Sequence, residues 1–227
     1  DANGNFTVPN MYEGYYDVYG GSWGYYENFY DGHLQLGSGS SPITIPLQGH
    51  HYYDDFIMNF GWSTAQNASS GFWTRDAPIA TYYQGVPCNP DKDVMDDFGV
   101  KCYMTGNGGG TALTDNVDNG SVTLRSPFFD LSSYTDPYIR YSLWYYDGSQ
   151  SGNNPDDNLL IRLNNGITTI TLENLTTSAN TWAQHGFRVS DYITPTANMR
   201  FTIDAYDLSS GNPNIVEAGL DRFEVLE

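Results

Sequence analysis

Acids grouped with amides and a glycine are the residues of this chain best suited to chemistry. Asp115, Asn116, Asp118 and Asn119 crowd side-chain oxygens into one short run that ends at Gly120. A hard cation such as Ca²⁺ takes about six to eight oxygen ligands from loops of this kind, and glycine permits the sharp turn. The spacing does not complete an EF-hand. Asn, Asp and Gly also favour turns for backbone reasons alone, so a cation loop and an ordinary Asx-rich turn are both open here. Beyond the loop, Val122 and Leu124 alternate with Thr123 and Arg125, the pattern of a half-buried strand.

Catalytic signatures are hard to find. A serine nucleophile wants a strained elbow such as G-x-S-x-G, whereas Gly37, Ser38, Gly39 and Ser40 form a flexible linker. No HExxH is present, and His50 and His51 lack a further ligand at helical spacing. His33 and His185 stand alone. Paired carboxylates for glycoside hydrolysis are defined by a separation of ~5 to 9.5 Å in space, which linear spacing does not reveal. Glutamates are few, however, and turns and cation loops account for most of the aspartates, so no catalytic residue is expected. Cys88 and Cys102 share one acidic segment. A disulfide there would stabilise by roughly 3 kcal/mol in the chain-entropy model, but two cysteines do not establish an oxidising compartment.

The charge narrows the partners. With 27 acidic against 9 basic residues the net charge is −18, which argues against a nucleic-acid backbone or an anionic membrane surface. No apolar run approaches the ~20 residues that cross a bilayer. The chain opens on Asp1 rather than Met, so a processed or excised piece is expected. Bound cations are a natural way to lower the repulsion among so many acids.

The elements that must position these residues read as strands. The 19 Tyr, 5 Trp and 24 Gly favour strands and turns over helices. Ile139, Tyr141, Leu143 and Tyr145 alternate with Arg140, Ser142, Trp144 and Tyr146. Phe201, Ile203 and Ala205 alternate with Arg200, Thr202, Asp204 and Tyr206, and Leu159, Ile161 and Leu163 with Leu160 and Arg162. Many strands separated by Gly, Asn and Pro turns predict an all-β sandwich or jelly roll. Arg140, Arg162, Arg188 and Arg200 fall on outward positions, and Trp144 and Tyr206 share that parity. Aromatic platforms beside arginines would suit a carbohydrate-binding face; covering by a loop or by the N-terminal segment is the more ordinary explanation of them.

Two resemblances divide the chain. In residues 1–48, Asp1, Gly4 and Phe6, then Gly14, Tyr16 and Val18, then the strand 42–47, resemble the back half of a carboxypeptidase-regulatory-like domain, a small transthyretin-like β-sandwich. Its front strands are missing, so this truncated unit is expected to expose Tyr16, Val18 and Ile45 along open strand edges. Neighbouring copies are then expected to complete it by strand addition, the alternatives being that the segment packs onto the main domain or that the absent strands are supplied in cis. In residues 49–227, HHYYDDFIMNFGWST, GFWTRDAPIAT, DDFGVKCYMTGN, DNVDNGSVTLRSPFFDLS, PYIRYSLWYY, DDNLLIRLNNG and VEAGLDRFEV occur in order. This series resembles the MAM-like jelly-roll module of secreted proteins of Bacteroidota and Planctomycetota. The resemblance implies a Ca²⁺ site where the first and last strands meet, with Asp54 or Asp55 beside Asp221, and Asp97 and the Asn116 and Asp118 loop closing the shell. Arg222 stands where the family usually places a second acid. It also implies a secreted or cell-surface, non-catalytic module that binds carbohydrate or a surface protein, or a structural accessory to a secreted metallopeptidase or other hydrolase.

Overall fold

Side-chain alternation sorts the chain into two layers. Ile139, Tyr141, Leu143 and Tyr145 are buried, as are Leu159, Ile161 and Leu163, and Phe201, Ile203 and Ala205. The interleaved Arg140, Arg162 and Arg200 are only partly covered. The computed structural model describes residues 4–30, 33–49, 51–95, 97–149, 157–208 and 214–227.

One sheet runs, in spatial order, Thr169–Leu175, Asn158–Asn164, Arg200–Asp207, Gly120–Arg125, Ser63–Gln66. The other runs Ala179–Arg188, Tyr138–Ser149, Asn214–Leu226, Cys102–Thr105, Trp73–Asp76, and Tyr52–Asp54 also pairs with its long closing strand. All these pairings are antiparallel. The chain switches repeatedly between the sheets, so the protein is an all-β sandwich of jelly-roll kind. Its inner faces interdigitate. Phe223 on the closing strand meets Phe201 of the opposite sheet at 5.2 Å and Trp62 at 5.3 Å between ring centroids.

A β-bulge interrupts the closing strand. Arg140 opposes Glu224, yet Ser142 opposes Asp221, so the closing strand carries an extra residue there. Arg222 takes it up in the left-handed region, at φ 50°. A bulge bends its strand and re-aims the neighbouring side chains. Here the affected neighbour is Asp221.

Residues 14–49 form short two-stranded ladders: Gly14–Tyr16 with Leu34–Leu36, Tyr19–Gly20 with Asn28–Phe29, and Tyr25–Tyr26 with Gln48–Gly49. This segment leans on the sandwich. Trp23 packs on Tyr52 at 5.1 Å and Phe223 at 6.1 Å, and its Nε1 donates to the Phe128 carbonyl at 2.7 Å. Tyr16, Val18 and Ile45, expected to be exposed, are half-buried. Cys88 and Cys102 are separate, buried thiols. Among the described residues no helix is long and apolar enough to cross a membrane.

Candidate functional site

The acids gather in two places. The first lies where the N-terminal segment crosses the strand Tyr52–Asp54. Glu27, Asp54 and Asp55 are buried there, with ligand atoms within 4.8 Å of one another. Short turns fix the two aspartates. Asp54 Oδ1 accepts from the Phe56 amide and Oδ2 from the Trp62 indole, both at 2.8 Å. Asp55 accepts from the amides of Ile57 at 3.1 Å and Phe98 at 3.0 Å. A carboxylate oxygen holding one such bond keeps further lone-pair capacity. Asp221 is held by the amides of Val94 at 3.0 Å and Arg222 at 2.7 Å, the second made possible by the bulge.

The same cluster holds oxygens that no donor reaches. Both oxygens of Glu27 are buried without one, as is one oxygen each of Asp93 and Asp97. Burial, reinforced by the neighbouring carboxylates, pushes Glu27 up to about 10, Asp54 to about 8 and Asp97 to about 7. Asp221 is raised well above the usual carboxylate range, again by burial first and Asp97 next. Arg222 lies close enough to counter Asp97 in part. Crowded, buried, oxygen-only and incompletely satisfied, this group has the chemistry of a hard-cation site.

Asn116 and Asp118, expected to complete that shell, stand elsewhere. Val117 bridges Val216, five residues before Asp221 on the closing strand, or about 16 Å at a strand's rise. The loop is seated against two glycines in the left-handed region. A Cβ on Gly71 would come within 2.3 Å of Val117 N, and one on Gly106 within 2.0 Å of the Asp115 carbonyl. Asp118 instead joins a second acidic group with Asp147, Asp157 and Asp207. Burial first, then Asp157 and Asp118, raises Asp207 to about 7. The resemblance implied one shell, whereas the structure holds two separate groups of acids.

The expected ligand face needs correction. Trp144 is 7% exposed, and its Nε1 donates to the Cys88 carbonyl at 2.6 Å. It has the outward parity, but the segment around Cys88 covers it, and Trp182 meets it edge-on at 6.0 Å. Arg140 belongs to one sheet, Arg162, Arg200 and Tyr206 to the other, so no single surface holds them. Alternation gives a residue's face but not its sheet. Arg140 and Arg162 are also engaged, pairing with the buried Glu224 and Asp204. Arg200 donates to the Ser126 carbonyl at 3.1 Å and lies 4.8 Å over the Phe128 ring.

A recess of about 260 Å³ opens where the N-terminal segment meets the sandwich, lined by Tyr25, Tyr52, Tyr134, Asp130, Ser133 and the glycines Gly24 and Gly49. Ser132 holds the Asp130 carboxyl below its usual range, which keeps it an ionised acceptor. The Tyr134 hydroxyl is buried without a partner. The sequence reading missed this recess and also Glu27, Asp93, Asp147, Asp157 and Asp207. A signal existed for the last three: each continues the inward parity of its own strand.

No protein-family model and no curated protein matches the chain. Solved structures do. The K1 cleaved adhesin domain of Lys-gingipain from Porphyromonas gingivalis is 14% identical, with a TM-score of 0.48, over 78% of this chain and 98% of that one. TmCBM61, solved with β-1,4-galactotriose, is 9% identical at a TM-score of 0.43, over 76% and 98%. A xylan-binding domain of family 22 is 12% identical at 0.38, over 77% and 92%. At these values the likenesses say nothing about what this chain binds.

Proposed function

We propose that the chain is a calcium-stabilised, non-catalytic binding module of a secreted protein, of the MAM-like jelly-roll kind. The observation that carries this is the group of the buried Glu27, Asp54, Asp55 and Asp221 with the half-buried Asp93 and Asp97. It draws together the N-terminal segment, the first sandwich strand, a loop and the closing strand, with oxygens left open. Taking so many carboxylates out of water is costly unless something answers their charge. Ca²⁺ answers it with ligands the chain already supplies. Titrating metal-stripped protein with calcium tests this; no heat of binding and an unchanged melting curve would sink it.

Carbohydrate is the ligand class that suits the tyrosine-lined recess. Tyr25 and Tyr134 offer ring faces for C–H stacking, while Asp130 and Ser133 offer hydrogen bonds to hydroxyls. Glycan-array binding that disappears in Tyr25→Ala supports the assignment. Binding unaffected by that change puts the ligand elsewhere.

A structural accessory role beside a hydrolase domain is the second reading. The internal use of Trp144, Arg140 and Arg162 favours it, because these side chains serve the fold. The two-stranded ladder Gly14–Tyr16 with Leu34–Leu36 leaves an edge of each strand open among the described residues, and it suits strand addition by a neighbouring copy. Light scattering on the purified chain reads this directly, a monomer at all concentrations ruling it out.

A further inference from the structure

The outer face of the five-stranded sheet gathers arginines in a chain that is otherwise acidic. Leu124, Ile203 and Ile161 lie opposite one another and point into the core. Arg125, Thr202 and Arg162, each one residue away, therefore point outward. Register joins them into a row that crosses all five strands: Ser63, Arg125, Thr202, Arg162 and Thr171. Arg200 belongs to the next outward row, with Asn164 and Thr169. Three of the chain's 9 basic residues thus share one face. Among the described outward positions of these strands Asp204 is the sole acid. Its oxygens are taken by the Thr123 hydroxyl at 2.6 Å and by Arg162 Nε at 2.9 Å.

Arg125 and Arg200 have no such acid. Among the described residues neither forms an ion pair. Arg200 is braced by uncharged groups, the Ser126 carbonyl and the Ser63 hydroxyl, both at 3.1 Å. Arg125 opposes Thr202, and Arg200 comes two residues before it on that strand, a diagonal spacing of about 7 to 8 Å on one sheet face. Burial first, then Arg125, holds Arg200 below the usual arginine range. Like charges placed so close oppose folding, and an anion lying between them would relieve that cost. Arg200 also stands 4.8 Å over the Phe128 ring, which is 57% exposed. An apolar plate therefore lies beside the two cations.

We infer that this face binds an anionic polysaccharide, whose carboxylate or sulfate groups sit on Arg125 and Arg200. The planar guanidinium fork matches such groups with two parallel hydrogen bonds. Phe128 offers a ring for C–H stacking, and the rows of Ser63, Thr202, Asn164 and Thr171 offer partners for sugar hydroxyls. An acidic peptide suits the face less well. Extended peptides add to open strand edges, whereas the strand of Arg125 is paired on both sides. Charges beyond a Debye length of about 8 Å are largely screened at physiological salt, so the net charge of −18 bears on approach more than on contact. Neither arginine lines the tyrosine recess.

The test titrates four polymers into the full chain by calorimetry, with calcium present throughout. Hyaluronate presents carboxylates on sugar, dextran sulfate presents sulfates, and dextran and poly-glutamate separate sugar from charge. The expected result is binding of hyaluronate or dextran sulfate, whichever binds naming the anion, with none of dextran and an affinity that falls as salt rises. Arg125→Gln is expected to weaken that binding about tenfold or more. Binding of neither charged polysaccharide overturns the inference, as does binding that Arg125→Gln leaves intact. Loss in Tyr25→Ala with retention in Arg125→Gln puts the ligand in the recess and overturns it too. Poly-glutamate bound as tightly as the polysaccharides assigns the face to an acidic polypeptide instead. Should Arg125→Gln not fold, amide hydrogen exchange on the unaltered chain takes its place. Protection by the bound polysaccharide at residues 121–126 and 200–206 supports the assignment, and its absence there overturns it.

Discussion

Buried acids in this molecule are answered in two different ways. On the outer faces of the sheets, Glu224 meets Arg140 and His51, and Asp204 meets Arg162 and the Thr123 hydroxyl at 2.6 Å. Where the N-terminal segment crosses the sandwich, Glu27 meets no donor at all. Burial works to raise Glu224 as well, yet the bonds from His51 and Arg140 outweigh it and its pKa is lowered. Glu27, buried without such partners, is driven the other way. With 9 basic residues for 27 acids the chain could not pair them all. Arginine serves the sheet faces, and both carboxylate oxygens of Glu27 go without a donor.

Removing calcium gives the largest expected effect. An ion held at a thousand times its dissociation constant stabilises by ~4 kcal/mol, worth about 8 to 16 °C in melting temperature for a domain of this size. Differential scanning calorimetry with and without EDTA checks it, and equal curves would erase the distinction between the two kinds of buried acid. Arg162→Met should cost less, about 1 to 3 kcal/mol, below the range for a fully buried pair because Arg162 is a third exposed. Its cost by urea unfolding should be the same in calcium and in EDTA. A calcium-dependent cost would mean the two regions share one electrostatic system.

The pH dependence sharpens the contrast. Asp54 and Asp97 have folded-state values raised to about 8 and about 7. In the metal-free protein they hold protons that the unfolded chain has already released. Their contribution is complete below the unfolded value near 4 and is lost as pH rises towards 8. Metal-free protein should therefore melt lower at pH 8 than at pH 5, and saturating calcium should flatten or reverse that slope. Glu224 acts oppositely, since its lowered value gives stability that is present above pH ~4.5 and lost on acidification. Glu224→Gln should remove the smallest amount, and the loss should shrink as pH falls towards 3. Urea midpoints measured across the range decide both signs.

Much of the fold was legible because alternation is a backbone property. Ile139, Tyr141, Leu143, Phe201 and Ile203 are core residues as their spacing requires. Asp54, Asp55, Asp97 and Asp221 lie in one neighbourhood, following from where the first and last strands meet. Glu27 was hidden because it reaches the cluster from a segment read as separate, through contacts about thirty residues and more away. Asp118 was assigned to the wrong neighbours because a turn-rich loop carries no information about which strand end it abuts. Trp144 shows a different limit. Its outward parity was read correctly, but parity is silent about what lies over the sheet.

The closing strand Asn214–Leu226 lies inside its sheet, with Tyr138–Ser149 along one side and Cys102–Thr105 and Tyr52–Asp54 along the other. That placement bears on how the chain comes to fold. Every one of those ladders joins residues far apart in sequence, so loop-closure entropy must be met before any of them forms. As the chain emerges from its N-terminus, the strands that will flank the centre of this sheet wait without their common partner. Folding is then expected to be slow and late, with one cooperative step when residues 214–226 insert.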